Sequence, residues 1–265
     1  MTQLWHLTKA NMAKEYIELK RYYPNTITMI VQFYFVFLAM LLGLYAIGDP
    51  QQVDTNVQYV IVNYVIWFFM LTIMQNLGFV VLVEAQRGTL EQLFMSPLGM
   101  WKVLLARIVS NVLIYGVIVF VLLILSMLTA GEWLILRIDI ALPIFMVTTL
   151  SMIGVGFLLA GLAIIIKQIQ SVLNVLQFIL MGLAFVPLSV APYLVFAPFS
   201  KGIDMVRQVM IHGYTWGDFT ALDYTALLLN SVFYLVFGIF IYLRSEKNCY
   251  GKGTFESILN LNVTE

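Results

Sequence analysis

An all-α membrane protein with six transmembrane helices is the fold class this sequence predicts, from three observations. Of its 265 residues, 62% are apolar and 11% charged, against roughly 45–50% and 25% in soluble domains; that much apolar surface cannot be hidden behind a polar shell. The apolar residues gather into six long stretches. The positive charges between those stretches fall almost wholly on alternate connections.

The stretches are residues 26–47, 57–83, 103–129, 140–166, 171–190 and 221–243. About 20 apolar residues in helical form cross the roughly 30 Å of bilayer hydrocarbon. Helix is required, because an isolated strand leaves its N–H and C=O groups unpaired in lipid. No charged residue falls in the interior of a stretch; Arg107, Lys167 and Asp223 stand near ends, where polar groups reach water. The second, third and fourth stretches have 27 residues each, reach about 40 Å as helix, and must tilt or project.

With the N-terminus in the cytosol, the inner segments are 1–25, 84–102, 167–170 and 244–265. Together with Arg107 they hold eleven of the fourteen Lys and Arg, and the outer segments hold only Arg137, Lys201 and Arg207. That asymmetry fixes orientation by the positive-inside rule. Both termini are expected in the cytosol and the chain in the plasma (cytoplasmic) membrane. The expected organisation is a cytosolic interfacial helix over 1–25, a transmembrane domain over 26–243 and a cytosolic tail over 244–265. The first 26 residues hold no long apolar core, so the mature chain is expected to start at or near Met1.

Two accessory segments stand out. Over residues 4–23, Met12, Tyr16, Leu19 and Tyr23 recur at helical spacing while Lys9, Lys14, Glu18 and Arg21 fall elsewhere. This reads as a helix on the cytosolic membrane surface, or as a solvated helix leading into the first span. In the outer segment 187–220, Pro187, Pro192 and Pro198 break any continuous helix. Met205, Val206, Val209 and Met210 then form an apolar face beside Asp204, Arg207 and Gln208. A re-entrant or surface-lying pair of short helices fits, as does an ordinary long loop.

Several chemistries lack their parts. Cys249 is the sole cysteine, so no intrachain disulfide forms. His6 and His212 both lie outside the apolar stretches, which leaves no metal cluster and no base for a nucleophile within them. There is no basic run, and no nucleic-acid partner is expected.

The connection 84–100 carries more than polarity. Thr89 and Gln92 make a capping-box pair. Gly88 permits a turn away from the second span, Leu90, Leu93 and Phe94 share one helical face, and Pro97 ends the segment or opens the next helix. The result is a short amphipathic helix with a bare apolar face on the water side, which marks a docking surface. It lies on lipid or inserts into a groove on a soluble partner. Glu84 and Glu91, with Arg87 as the lone cation, favour the protein partner.

The run Glu84, Gly88, Thr89, Leu90, Glu91, Leu93, Ser96, Pro97 resembles the coupling-helix region of type-2 ABC exporter permeases. The N-terminal helix, six spans with both ends inside and the broken segment after the fifth span are similar too. Pro198-Phe199 and Arg207 resemble a late feature of that family, with Ala197 where it often has Asn. The resemblance implies two permease units, identical or related, around a central pathway. It further implies a coupling helix (Glu84, Arg87, Gly88, Thr89, Leu90, Glu91, Leu93, Phe94, Pro97) seated on a separate ATP-binding-cassette ATPase that carries the ATP and Mg. The sequence holds no Gly-x-x-x-x-Gly-Lys-Ser/Thr loop, so ATP hydrolysis is expected in a separate chain and this one is not expected to be an enzyme by itself.

Gln32, Asn63, Gln75, Asn76, Asn111, Asn174 and Gln177 are uncharged amides in or near the spans. They bond helix to helix or line a substrate path. Gly154, Gly156, Ala160 and Gly161 permit close packing of the fourth span. A hydrophobic or amphipathic substrate (a drug, peptide antibiotic or lipid-like molecule) is expected, since no charged vestibule is visible. The alternative, a secondary transporter or channel, usually needs ionisable residues within the membrane, and these are lacking.

Overall fold

The computed structural model describes residues 2–47, 53–87, 100–166 and 169–251. Among these the chain is helical, with no strand. Helix α1, Thr2–Arg21, is separated by the single turn residue Tyr22 from α2, Tyr23–Ile47. Pro24 sits in the first turn of α2, where a missing N–H breaks no helical bond. Then follow α3, Val53–Arg87; α4, Met100–Ala130; α5, Ile138–Ile166; α6, Gln170–Phe185; a short 3-10 helix, Pro192–Phe196; α7, Ser200–His212; and α8, Ala221–Gly251.

Five of these helices, α2, α3, α4, α5 and α8, are long and apolar enough to cross a membrane. The fifth predicted span differs. Expected over 171–190, it stops at Phe185 after 16 residues, about 24 Å of helix. Val186 is extended (φ −84°, ψ 118°), as the residue before a proline prefers, and Pro187 follows. The apolar run continues; the helix does not. Where six spans are expected, the described residues hold five long apolar helices and one short one.

Contacts between side chains fix the relative directions. Phe145 packs against Phe69, tilted, at 4.7 Å between centroids, and further along Gly156 faces Leu77, so α3 and α5 run parallel. Gly154 faces Tyr234 and Gly161 faces Tyr242, so α5 and α8 also run parallel. Tyr64 donates to the Phe33 carbonyl at 2.7 Å while Phe68 packs on Phe33 and Phe37 on Tyr64; α2 is antiparallel to α3. Gln75 bonds Gln177 at 3.2 Å and Gly78 faces Leu173, so α6 is antiparallel too, short as it is. Arg137, Lys201 and Arg207 consequently lie toward one end of the bundle, where α5 and α8 begin. Arg107, Arg244 and Lys247 lie toward the other, where α3 ends at Arg87.

The centre of the bundle is α3 with α5. In each, 72% of the apolar window is buried, against 11% in α2 and 22% in α8. The tightest seam joins α5 to α8. Gly154 and Gly238 bring the two backbones into direct contact, leaving no room for a Cβ on either. Glycine at such a crossing lets dispersion act between main chains, the main attraction available between helices in lipid.

Helix α1 crosses α4, with the Ser110 hydroxyl donating to the Thr8 carbonyl at 3.1 Å. Its packed face differs from the expected stripe. Thr8 is buried and Asn11, Met12, Glu15 and Leu19 are half-buried, while Tyr16 and Tyr23 point outward with Trp5 and Ile17. The polar residues of that face suit a headgroup-level contact; the outward aromatics suit lipid.

Candidate functional site

Beyond α6 the chain turns back into the bundle. The 3-10 helix hangs on α8: Asn230 donates to the Val195 and Ala197 carbonyls at 2.9 and 3.0 Å, and Tyr234 to the Phe196 carbonyl at 2.9 Å. Phe199 is buried and left-handed at φ 55°, a conformation costly for a bulky side chain. Its N–H donates to the Ser151 hydroxyl at 3.1 Å, about 20 Å along α5 from its start. From there α7 climbs beside α5, past Gly202 against Thr148, until Met210 accepts a bond from the Ile135 N–H at 2.8 Å. The segment is broken into short helices, as its prolines require.

Helix α7 carries a charge cluster that the sequence reading did not find as a unit. Lys201 Nζ lies 2.6 Å from Asp223 Oδ1 and 3.9 Å from Asp204 Oδ2. Arg207 Nη2 lies 2.7 Å from Asp204 Oδ1, and Gln208 donates to Asp204 Oδ2 at 3.0 Å. The Arg207 guanidinium stands 5.2 Å from the centroid of the Tyr59 ring, a cation–π contact with α3. Asp223 also accepts from the Thr220 N–H and hydroxyl at 2.8 and 2.7 Å, capping α8. The Arg207 side chain is only 4% exposed. The i, i+3 and i+4 spacing of Lys201, Asp204, Arg207 and Gln208 was the available signal; Asp223 and Tyr59, being distant in sequence, gave none.

The seven amides divide by position. Gln75 of α3 bonds Gln177 of α6. Asn76 donates to the Thr72 carbonyl at 2.9 Å and bonds the Tyr115 hydroxyl of α4. These three join helices. Asn63 and Asn111 are buried, each with an Oδ1 that has no hydrogen-bond partner among the described residues; Asn111 borders a void with Asn76 and Arg107 of about 10 Å³, the size that admits one water. Gln32 and Asn174 are exposed on α2 and α6, with Asn174 reached by Gln170 at 3.5 Å. Gln75, Asn76 and Gln177 are thus hydrogen-bonded, Asn63 and Asn111 are buried, and Gln32 and Asn174 face outward.

Of the segment expected to dock a partner, Glu84 is half-buried on α3 and Arg87 is the last residue of that helix. Gly88, Thr89, Leu90, Glu91, Leu93, Phe94, Ser96 and Pro97 lie outside the described residues. The helices on either side are firmly seated: Val81 and Leu82 of α3 and Met100 and Leu104 of α4 are buried.

The family description for the ABC-2 type transporter matches residues 6–211. The chain belongs to the ABC-2 type transporter family. Together with its five long apolar helices, this makes it a multi-pass membrane protein and a transporter permease. The ABC-2 match begins in α1 and ends at the penultimate residue of α7, so it includes the broken segment with its 3-10 helix. Helix α8, which forms the glycine seam with α5, lies beyond it. No curated protein matches the chain closely enough to count as a relative.

Proposed function

We propose that this ABC-2 chain is the membrane-spanning subunit of an ATP-driven exporter, working as a pair with a second copy or a related permease. It moves a hydrophobic or amphipathic molecule out through the interface between the two. A separate ATP-binding-cassette ATPase holds ATP and Mg and docks on the segment from Glu84 to Pro97. The observation that carries this reading is the family match over 6–211, which includes residues 88–99, where the sequence predicts an apolar face of Leu90, Leu93 and Phe94.

The mechanism follows from stiffness. Helix α3 is central and α4 is packed against it through Leu77, Val80, Leu104 and Ile108. A push on residues 88–99 is passed along both helices, because packed cores deform as units and not continuously. Gln32 on α2 and Asn174 on α6 are outward-facing amides on helices that flank α3 from the same antiparallel direction. They are the candidates for lining the pathway, whereas Gln75, Asn76 and Gln177 hold helices together and Asn63 and Asn111 lie within the bundle. The Lys and Arg asymmetry supports a cytosolic side for residues 84–100 and both termini, where an ATPase reaches them, and the plasma membrane is the membrane proposed.

Leu93→Asp tests the reading. A carboxylate on the docking face is expected to abolish co-purification of the ATPase while the permease still inserts and elutes as a folded species. Undiminished co-purification would overturn the docking role. Arg87→Ala should weaken the complex far less, since rim charges contribute little to affinity.

A further inference from the structure

We propose that the groove between α4 and α5 is a site for one anionic phospholipid, with an acyl chain lying against α3 and the phosphate held by Arg137. The site stands on the membrane placement of the bundle and is independent of ATPase coupling. Helices α4 and α5 diverge below their connection and leave a cavity of about 400 Å³, within the range of small-ligand sites. Ile66 and Phe69 of α3 form its floor, Val117 and Phe120 of α4 one wall, and Leu142 and Met146 of α5 the other. Both walls expose their side chains to the surroundings of the bundle, so the groove is open to lipid.

Three features point to a phospholipid. Arg137 is the one lining residue among the described residues that is not apolar. It forms no ion pair among the described residues and feels Asp218 only at longer range; its planar fork is free to take two phosphate oxygens. Exposed Trp133 and Trp216 lie at the same end of the bundle, and tryptophan marks headgroup depth. On α4 the lining runs from Val112 to Leu123, about 16 Å of helix, which is close to half of the roughly 30 Å hydrocarbon thickness. The groove is as deep as one leaflet, apolar throughout, with a cation at the headgroup level.

Gly116 gives the handle. It lines the groove, and a Cβ built on it meets nothing within 4 Å, so a larger side chain there enters the space that the acyl chain would take. The permease alone is reconstituted in phosphatidylcholine vesicles containing phosphatidylglycerol with a photoreactive acyl chain. Label is expected on Val117, Phe120, Leu142 and Met146, falling in Gly116→Leu and further in Gly116→Trp, while label at the exposed Phe178 of α6 stays constant. Arg137→Gln is expected to lower the preference for phosphatidylglycerol over phosphatidylcholine by about tenfold, the worth of a hydrogen bond to a charged group. Equal labelling of the groove and Phe178, unmoved by the Gly116 variants, would mean bulk lipid only and overturn the site. So would protection of the groove accompanied by crosslinking between α4 helices of two copies, which would make the occupant a second chain.

Discussion

Gly154 and Gly238 do at one point what no larger residue can. Their backbones touch, so a methyl group on either must part α5 from α8 along a seam that continues to Gly161 and Tyr242. Gly154→Ala is expected to cost about 3 kcal/mol, the upper range for overpacking, and to lower the detergent melting temperature. Gly182→Ala on α6, where a Cβ meets nothing within 4 Å, is the matched control and is expected to leave the melt unchanged or raise it. A second residue sets a pH dependence. Asp218 accepts from the Thr215 N–H and hydroxyl at 2.7 and 2.8 Å. Those backbone and side-chain bonds hold its carboxyl below the usual carboxylate range against a small opposing effect of desolvation, with Arg137 helping. A depressed carboxylate contributes stability above its ordinary pKa and loses it as pH falls through the lower folded value. The turn at 215–218 should therefore be intact above about pH 4 and loosen below it. Emission from a variant retaining Trp216 as its sole tryptophan reports this, and Asp218→Ala should remove the acid transition by leaving the turn loose at every pH.

Helix α7 is the element where sequence reading was right in outline and incomplete in energetics. Pro187, Pro192 and Pro198 announced the break, and the apolar stripe of Met205, Val206, Val209 and Met210 announced a buried face; all four are buried. Spacing signalled only the part of the ionic cluster within α7; its partners Tyr59 and Asp223 come from α3 and α8. The same limit hid the packed face of α1, where Thr8 and Glu15 turn inward because α4 offers Ser110 and Arg107. Phe199 in a left-handed conformation could not be foreseen either, since nothing in a Pro-Phe pair names Ser151 as its acceptor. Asp204 is the hinge of the α7 cluster, bonded to Lys201, Arg207 and Gln208. Asp204→Ala leaves the buried Arg207 guanidinium without its carboxylate, and removal of one partner of a buried pair typically costs about 3–5 kcal/mol. The expected result is a melting temperature lowered at least as far as by Gly154→Ala, with faster proteolysis within 187–220. Asp204→Asn should recover part of the loss by keeping an acceptor for Arg207.

For the molecule as a whole, charge placement was the most legible property of the sequence. Counting Lys and Arg by segment sorted Arg137, Lys201 and Arg207 from the rest, and the parallel course of α3, α5 and α8 puts those three toward one end. The sort worked because α6, though short of a full span, still runs against α3 and α7 completes the return; hydropathy registered the apolar run and could not register where Pro187 stops the helix. The compartment at each end decides function, since a motor in the cytosol can grip residues 84–97 only if they face it. Replacement of the one cysteine by Cys249→Ser gives a silent background for Gly217→Cys, at the α7 end, and Met95→Cys, in the docking segment. A membrane-impermeant maleimide is expected to label Gly217→Cys in intact cells, and Met95→Cys only after permeabilisation. Labelling in the reverse order would turn the bundle over, place the apolar face of Leu90, Leu93 and Phe94 outside, and leave Arg137 with the inner leaflet. The ATP-driven reading would then fail, while the phospholipid groove would persist with its headgroup on the cytosolic side.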